Sequence, residues 1–232
     1  MNDFKALIAS YASYITKVVD FDDANDKLLP LDFTALNTAL NDEILNNTQL
    51  FSDWINQQLT TKGARYGIGG YNEHRTIYAR SEHFNTLTEP RRLHLGVDIW
   101  ADAGTAVYNF YEATVHSFAN NNNFGDYGAT IILEYNINNF RFYALYGHLS
   151  LASLDGLEVG KRIAPGQKIA EFGVSEENGN WPPHLHFQLI LDMGELKGDY
   201  PGVCKFSERK VYLANSPDPN LILKYTFGCK LL

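Results

Sequence analysis

Two histidines separated by one residue, His184 and His186, head an apolar run that ends at Leu191. The run is rich in branched and aromatic residues, which is typical of a buried strand. In a strand, residues i and i+2 point to one face, roughly 6–7 Å apart, so both imidazoles can reach one small volume. Pro182 and Pro183 precede the run. Because proline cannot donate a hydrogen bond to a sheet, they mark the entry of the strand, where we expect a site.

Two upstream stretches that resemble strands also contain a histidine. The first, residues 92–100, contains His94 and Asp98, and the second contains His148. A lone H-x-H pair is a weak signal, because surface or structural histidines explain most such pairs. Three strand-like stretches that each contain a histidine predict one composite site. The histidines outside these stretches are interpreted as surface or structural residues, namely His74, His83 and His116.

Two imidazoles and a carboxylate, with one coordination position left open, are a ligand set typical of catalytic Zn²⁺. His94, Asp98 and His186 can supply this set. In a straight strand, His94 and Asp98 would lie about 13 Å apart, which is too far to bind one ion. The chain must therefore bend between them, and Gly96 is the residue that permits a bend.

His148 and His184 would then be imidazoles beside the metal without being ligands to it. One neutral imidazole could take a proton from the attacking water, because the histidine pKa lies near neutral pH. The other could stabilise the developing oxyanion or protonate the leaving amine. Together with a bound metal, these groups predict metal-assisted hydrolysis of an amide bond.

Three motifs, in this order and spacing, resemble the lysostaphin/LytM-type zinc metallopeptidases: HxxxD at residues 94–98, YGH at 146–148 and HxH at 184–186. The similarity covers residues 90–192. Those β-rich enzymes have a duplicated hybrid motif fold and mostly cleave peptide cross-bridges or stems of bacterial peptidoglycan. By position, the resemblance implies the zinc ligands His94, Asp98 and His186, and the catalytic histidines His148 and His184.

A narrower resemblance extends over residues 177–190, 198–203 and 216–220. In that subgroup the peptidase-like domain also occurs fused between a kinase-like phosphotransferase and an aminotransferase.

From the resemblance to the lysostaphin/LytM-type enzymes we expect a zinc metalloendopeptidase whose substrates are peptides or peptidoglycan-derived peptides. Two alternatives stay open: a non-catalytic regulatory or binding module of the same fold, and a cytoplasmic amidase that acts on a small or modified peptide. An active enzyme is favoured over the non-catalytic module, because this chain retains every expected metal ligand.

The net charge of the 232-residue chain is −8, without a basic cluster, so we expect no nucleic-acid partner. We also expect no membrane partner, since no apolar run approaches the ~20 residues that span a bilayer. Residues 1–8 lack a basic segment followed by an uninterrupted apolar core, which predicts a cytoplasmic protein. The alternative is a secreted or periplasmic protein whose leader has been removed. Whether Cys204 and Cys229 pair in a disulfide stays open.

Residues 1–62 are expected to form a helical extension. Apolar residues recur at three- and four-residue spacing over residues 4–18 and again over 33–59, with Asp32 as the N-cap of the second helix. These helices contain no catalytic residues. We interpret them as a packing surface, through which homo-oligomers could form.

Residues 63–232 are expected to form the β-rich peptidase domain, with an irregular tail from residue 192. Short strands separated by Gly and Pro turns predict a mainly antiparallel, sandwich- or barrel-like sheet, and the chain as a whole is expected to be α+β. One strand is predicted over residues 106–118. A hairpin is predicted to join strands at 130–135 and 140–149.

Two loops are predicted near the site. The loop before the HxxxD motif is rich in Gly and in aromatic and polar residues, and it offers Tyr71 and Asn72 as candidate substrate-binding residues. A solvated connecting loop is the alternative interpretation. The polar loop at residues 120–128 is expected to border the site.

Overall fold

The computed structural model describes residues 2–226. The strands in chain order are β1 (Leu28–Leu31), β2 (Tyr66–Gly69), β3 (Leu93–His94), β4 (Val97–Trp100), β5 (Ala106–Tyr108), β6 (Ala113–Asn121), β7 (Gly128–Ile137), β8 (Phe140–Leu149), β9 (Arg162–Ile163), β10 (Lys168–Glu171), β11 (His184–Ile190) and β12 (Val203–Cys204). The α-helices are α1 (Asn2–Ser10), α2 (Asp42–Asn46), α3 (Thr48–Lys62), α4 (Arg209–Asn215) and α5 (Asn220–Leu223). Short 3₁₀-helices cover Ile77–Arg80, Glu82–Phe84, Leu151–Leu154 and Phe206–Glu208.

An eight-stranded sheet organises the protein, with the strand order β1-β2-β4-β11-β8-β7-β6-β9. Its neighbouring strands pair antiparallel, except for the parallel pair β1 and β2. Two small sheets, β10-β5 and β12-β3, lie beside it. The predicted α+β class and mainly antiparallel sheet are confirmed. Over the described part of the chain the sheet is open, with β1 and β9 as its edges, rather than closed into a barrel.

Strand β11 separates the core from the site. Leu185, Phe187 and Leu189 are completely buried in the main hydrophobic cluster, on the same face of the sheet as Phe4 and Ile8 of α1. Fully burying a Leu or Phe side chain contributes about 1.5–3 kcal/mol. Because side chains alternate along a strand, the even-numbered residues of β11 point to the opposite face. The buried odd-numbered side chains therefore hold the histidines in place.

The antiparallel register of β11 and β4 places site residues in pairs. His186 lies opposite Asp98, and His184 lies opposite Trp100. Directly opposite residues on one face have Cβ atoms about 4.5–5.5 Å apart. The register alone therefore brings a carboxylate to one histidine and an indole to the other.

The N-terminal helix is shorter than the prediction. Helix α1 ends at Ser10, so the helix predicted through residue 18 is wrong beyond that point. The chain instead runs alongside the sheet, where Thr16 donates its backbone N–H to the carbonyl of Phe110 at 2.8 Å. Tertiary contact thus overrides the helical spacing of this segment.

The second predicted helix begins later than expected. Residues 33–41 form turns, in which the Asp32 carboxylate accepts the Thr34 N–H at 2.8 Å and the Asn37 side chain accepts the Ala39 N–H at 3.2 Å. Such bonds from side chain to backbone compete with helix formation. Asp32 therefore caps a turn, and the helices α2 and α3 have Asn41 and Asn47 as their N-caps.

Strand β1 joins the N-terminal region to the main sheet through β2, and neither strand is predicted from the sequence. The division of the chain at residues 62 and 63 stays a prediction. Helices α2 and α3 pack in a second hydrophobic cluster that includes Phe33, Phe51 and Trp100. Trp100 of β4 also lines the site, so this region packs behind one wall of it.

The predicted hairpin is confirmed between β7 and β8, where Asn138 and Asn139 have positive φ angles of 51° and 63°. The strand predicted over residues 106–118 is divided into β5 and β6. In the tail, Cys204 is buried and its thiol is unpaired within residues 2–226, while Cys229 lies outside the described residues. The described helices include none that is long and apolar enough to cross a membrane.

Candidate metal centre

The three predicted metal ligands converge on one point. One donor atom each from His94, Asp98 and His186 lies within 4.8 Å of the other two. The His94 Nε2 to His186 Nδ1 distance is 2.9 Å. Asp98 Oδ1 lies 3.2 Å from His94 Nε2 and 3.0 Å from His186 Nδ1. All three residues are buried.

The bend expected near Gly96 is present, because β3 pairs with β12 whereas β4 pairs within the main sheet. Glycine is needed at position 96 because of close packing. A Cβ there would lie 2.6 Å from the His186 Cε1 atom and 2.8 Å from the Phe187 carbonyl oxygen. The main chain therefore passes directly against the ring of His186, a reason that the sequence alone does not reveal.

Hydrogen bonds fix the tautomers of the two histidines that are predicted to be ligands. His94 donates its Nδ1–H to the carbonyl of Gly70 at 2.9 Å. His186 donates its Nε2–H to Gln188 Oε1 at 2.9 Å. The Gln188 amide is oriented by its own donation to the Pro201 carbonyl at 3.2 Å. His94 Nε2 and His186 Nδ1 therefore carry lone pairs, and both face Asp98.

This donor set fits a zinc ion. Burial, followed by the charge of Arg75, lowers the pKa of His94 to about 4, so the imidazole is neutral at neutral pH. Lone pairs on His94, His186 and Asp98 then face one another at 2.9–3.2 Å, an arrangement that is repulsive without a cation. Zinc ligands at about 2.0–2.1 Å in tetrahedral geometry lie about 3.3–3.4 Å apart, close to these distances.

Arg75 completes the surroundings of Asp98. Its guanidinium is completely buried and pairs through Nη1 with Asp98 Oδ2 and through Nε with Glu73 Oε2, the latter at 2.7 Å. Burial would by itself raise the pKa of Asp98, but His94 and Arg75 lower it, and the net pKa lies well below its ordinary value. Asp98 is therefore a carboxylate with one oxygen paired to Arg75 and the other facing the histidines.

The two predicted catalytic histidines lie side by side, with ring centroids 4.1 Å apart. His148 donates its Nδ1–H to the Asn178 carbonyl and His184 donates its Nδ1–H to the Pro182 carbonyl, both at 2.8 Å. Each Nε2 atom is thus left with a lone pair. His148 has a positive φ of 60°, an uncommon backbone conformation outside glycine that often occurs at functional sites.

Both of these imidazoles are neutral at neutral pH. Burial lowers the pKa of His184 to about 4, against the raising effect of Asp98. Burial, followed by the charge of His184, holds the pKa of His148 well below its ordinary value. His184 also stacks on Trp100, with ring centroids 3.8 Å apart and planes at 12°. The indole fixes the plane of the imidazole.

A cavity with an empty volume of about 660 Å³, including its open mouth, adjoins the centre. Asp98, His148, His184 and His186 all line it. Its aromatic walls are Tyr78, Phe84, Trp100, Tyr127, Trp181 and Tyr200. The polar loop predicted to border the site does so, through Gly125, Asp126 and Tyr127.

The candidate substrate-binding residues Tyr71 and Asn72 lie elsewhere. The lining formed by residues 2–226 includes neither of them. Tyr71 donates its hydroxyl to the Ser216 carbonyl at 2.6 Å, and Asn72 donates its backbone N–H to the His94 carbonyl at 2.9 Å. Both residues thus support the chain around the centre, and their role in substrate binding stays a prediction.

Two polar residues of the site, Gln188 and Tyr78, are not predicted from the sequence. Gln188 lies two residues after His186 on the same face of β11, and this period of two is a signal that could identify it. Tyr78 accepts a hydrogen bond from Arg75 Nη1 at 3.1 Å, a contact without a local sequence signal. His83, interpreted as a surface or structural residue, is exposed and lines the cavity.

Part of the chain matches a known family. Residues 92–197, which contain all five predicted metal and catalytic residues, match the sequence profile described as Peptidase family M23. The L-Ala–D-Glu endopeptidase of Bacillus subtilis (strain 168) is 30% identical over 115 residues, which cover 47% of this chain and 33% of that protein. This match therefore covers about a third of the length of that curated relative.

Two solved structures are also similar. A zinc-containing peptidase from Vibrio cholerae is 26% identical, with 45% of this chain and 29% of that chain covered and a TM-score of 0.35. The catalytic domain of lysostaphin from Staphylococcus simulans is 23% identical, with 75% of this chain and 98% of that chain covered and a TM-score of 0.43.

Proposed function

Because residues 92–197 form a domain of peptidase family M23, we propose that this peptidase is a zinc-dependent metalloendopeptidase of the lysostaphin/LytM type. One observation carries the proposal. Three unprotonated donor atoms, from His94, Asp98 and His186, converge beside two neutral imidazoles in one cavity. Two imidazoles and a carboxylate with an open fourth position are a typical catalytic zinc site.

The protein's own residues supply the proton transfers. When bound at this centre, Zn²⁺ lowers the pKa of a water molecule and polarises the amide carbonyl. His148 and His184 each present an Nε2 lone pair, and their rings are close enough to serve one substrate bond. One imidazole would accept a proton from the attacking water at its Nε2 and then deliver that proton to the leaving nitrogen, while the lone pair of the other would hold the water in place.

Peptides derived from peptidoglycan are the proposed substrates, since the curated relative is named as an L-Ala–D-Glu endopeptidase. A second candidate function is an amidase that acts on a small or modified peptide. The aromatic walls of the cavity beside the centre favour it, because sites for small molecules are typically concave and lined by aromatic side chains.

Cleavage assays with the zinc-reconstituted full chain test the proposal. A peptide library and purified muropeptides are incubated with and without a chelator, and the products are identified by mass spectrometry. We expect internal peptide bonds to be cleaved, with loss of cleavage on chelation and recovery on addition of zinc. Cleavage that is insensitive to chelation, or absent from every substrate, would overturn the proposal. Cleavage confined to terminal or side-chain amide bonds, with no internal peptide bond broken, would favour the amidase.

A further inference from the structure

The mouth of the cavity carries one carboxylate that is free to bind a ligand. Asp199 lines the cavity and its side chain is exposed. Within residues 2–226 its carboxylate forms no ion pair or side-chain hydrogen bond. Partial desolvation, followed by the charge of Asp126, raises the pKa of Asp199, against the lowering effect of a hydrogen bond from the Tyr200 backbone. A nearby ammonium group would relieve both raising effects.

The position of Asp199 is fixed by its neighbours. The preceding residue, Gly198, donates its N–H to Ser117 Oγ at 2.8 Å, and the following residue, Tyr200, accepts the Tyr127 hydroxyl at 3.1 Å. Of the other two carboxylates that line the cavity, Asp98 pairs with Arg75. Asp126 already accepts the Tyr127 N–H at 2.8 Å and an amide N–H of Asn123 at 3.2 Å. Asp199 is therefore the carboxylate available to a ligand.

A guanidinium of opposite charge lines the same cavity. Arg91 donates its backbone N–H to the Phe84 carbonyl at 2.8 Å, and its Nη2 donates to the His83 carbonyl. The guanidinium carbon lies 5.6 Å from the centroid of the Phe84 ring. In the described part of the chain Arg91 pairs with no carboxylate, so its remaining N–H groups are free to bind an anion. Its charge is near enough to lower the pKa of Asp199.

From this pairing of charges we infer that the substrate is a short zwitterionic peptide, with a free ammonium group that binds Asp199 and a free carboxylate that binds Arg91. The inference rests on the proposed function, because it assigns the ligand of the same cavity. A long capped polymer would leave both charges without partners.

A random tripeptide library, prepared with free ends, N-acetylated, C-amidated and doubly capped, tests the inference. Retention of each form on immobilised, metal-free full-length protein is measured by mass spectrometry, and cleavage is measured after zinc loading. We expect the free form to be retained and cleaved about tenfold better than either singly capped form, as hydrogen bonds between charged groups predict. The Asp199→Asn variant should no longer distinguish free from N-acetylated peptides but should still prefer free over C-amidated ones. The Arg91→Gln variant should show the opposite pattern.

The exposed residues Asp155 and Arg162 lie outside this cavity, and Asp155→Asn and Arg162→Gln serve as matched controls that should keep both preferences. Equal retention of all four forms by the wild-type protein, or preferences unchanged in the variants, would overturn the inference. Equal cleavage of all four forms would support the proposed hydrolysis but overturn the inference that the free ends are recognised. Selective retention without cleavage would instead refute the hydrolysis and support the inference.

Discussion

Arg75 pairs with one carboxylate oxygen of Asp98 and leaves the other oxygen facing His94 and His186. A carboxylate held in this way can offer a single oxygen to a metal. The guanidinium is completely buried and also pairs with Glu73. The one positive charge of Arg75 is therefore shared between Asp98 and Glu73.

Replacing Arg75 should destabilise the fold. Arg75→Met leaves a buried carboxylate without its partner, which lowers the free energy of unfolding by about 3–5 kcal/mol. Denaturant unfolding of the metal-free protein measures the change. Arg65→Met is the matched control, because Arg65 forms its ion pairs with Asp20 and Asp26 at the surface, where such pairs contribute little. Equal losses in the two variants would contradict a special role for Arg75.

Gln188 should tune the affinity for zinc through His186. Gln188→Leu removes the acceptor that holds the His186 tautomer, so zinc affinity should fall about 10–100-fold, as for other groups that orient a metal ligand. Competition with a chromophoric chelator measures the affinity. Gln188→Glu keeps an acceptor at this position and should restore most of the binding. Unchanged affinity in Gln188→Leu would show that the hydrogen bond does not orient the ligand.

Side chains along β11 alternate between the two faces of the sheet, and this period of two predicts much of the site from the sequence. It places His184 and His186 on one face, and the structure shows Gln188 on that face as well. The contact of Arg75 with Asp98 is different, since it joins a loop to a strand 23 residues away. No local periodicity encodes such a contact, because it depends on how the loop folds back over β4.

The N-terminal region illustrates the same limit. Helical spacing is present in residues 11–18, yet residues 11–14 form turns and the chain after them is held by backbone hydrogen bonds of Thr16 and Val18 to the β-rich region. Likewise β1 exists only because β2 offers it a partner in the folded protein. The hairpin at Asn138 and Asn139 is predictable, because asparagine tolerates the left-handed conformation that its turn requires.

Variants of the two neighbouring histidines should separate metal binding from proton transfer. His186→Ala removes a proposed ligand and should abolish tight zinc binding. His184→Ala should keep the metal and lower kcat about 10²–10⁴-fold, because it removes a proposed proton-transfer group. Zinc content and steady-state kinetics are measured on the same preparations. If His184→Ala lost zinc as completely as His186→Ala, the division between ligand and proton-transfer group would be wrong.

Acid should destabilise the metal-free protein between pH 6.5 and 4. Burial lowers the pKa of both His94 and His184 to about 4 in the folded state, against about 6.5 in the unfolded chain. In this window the unfolded chain binds protons that the native protein does not, so the free energy of unfolding falls as the pH falls. Each histidine contributes a slope of up to about 1.4 kcal/mol per pH unit.

Denaturant unfolding at pH 7, 6 and 5 in the presence of a chelator measures this dependence. The His184→Ala variant should show a shallower slope, because one of the buried imidazoles is absent. A free energy of unfolding that stayed constant or rose as the pH fell from 6.5 to 5 would contradict the expected burial of neutral imidazoles.

Zinc stoichiometry tests the central claim most directly. The purified full chain is stripped with a chelator, reconstituted with zinc, passed through a desalting column and analysed for metal. The convergence of His94, Asp98 and His186 predicts one tightly held zinc ion per chain. A correctly folded protein that retained no zinc after reconstitution would contradict the account.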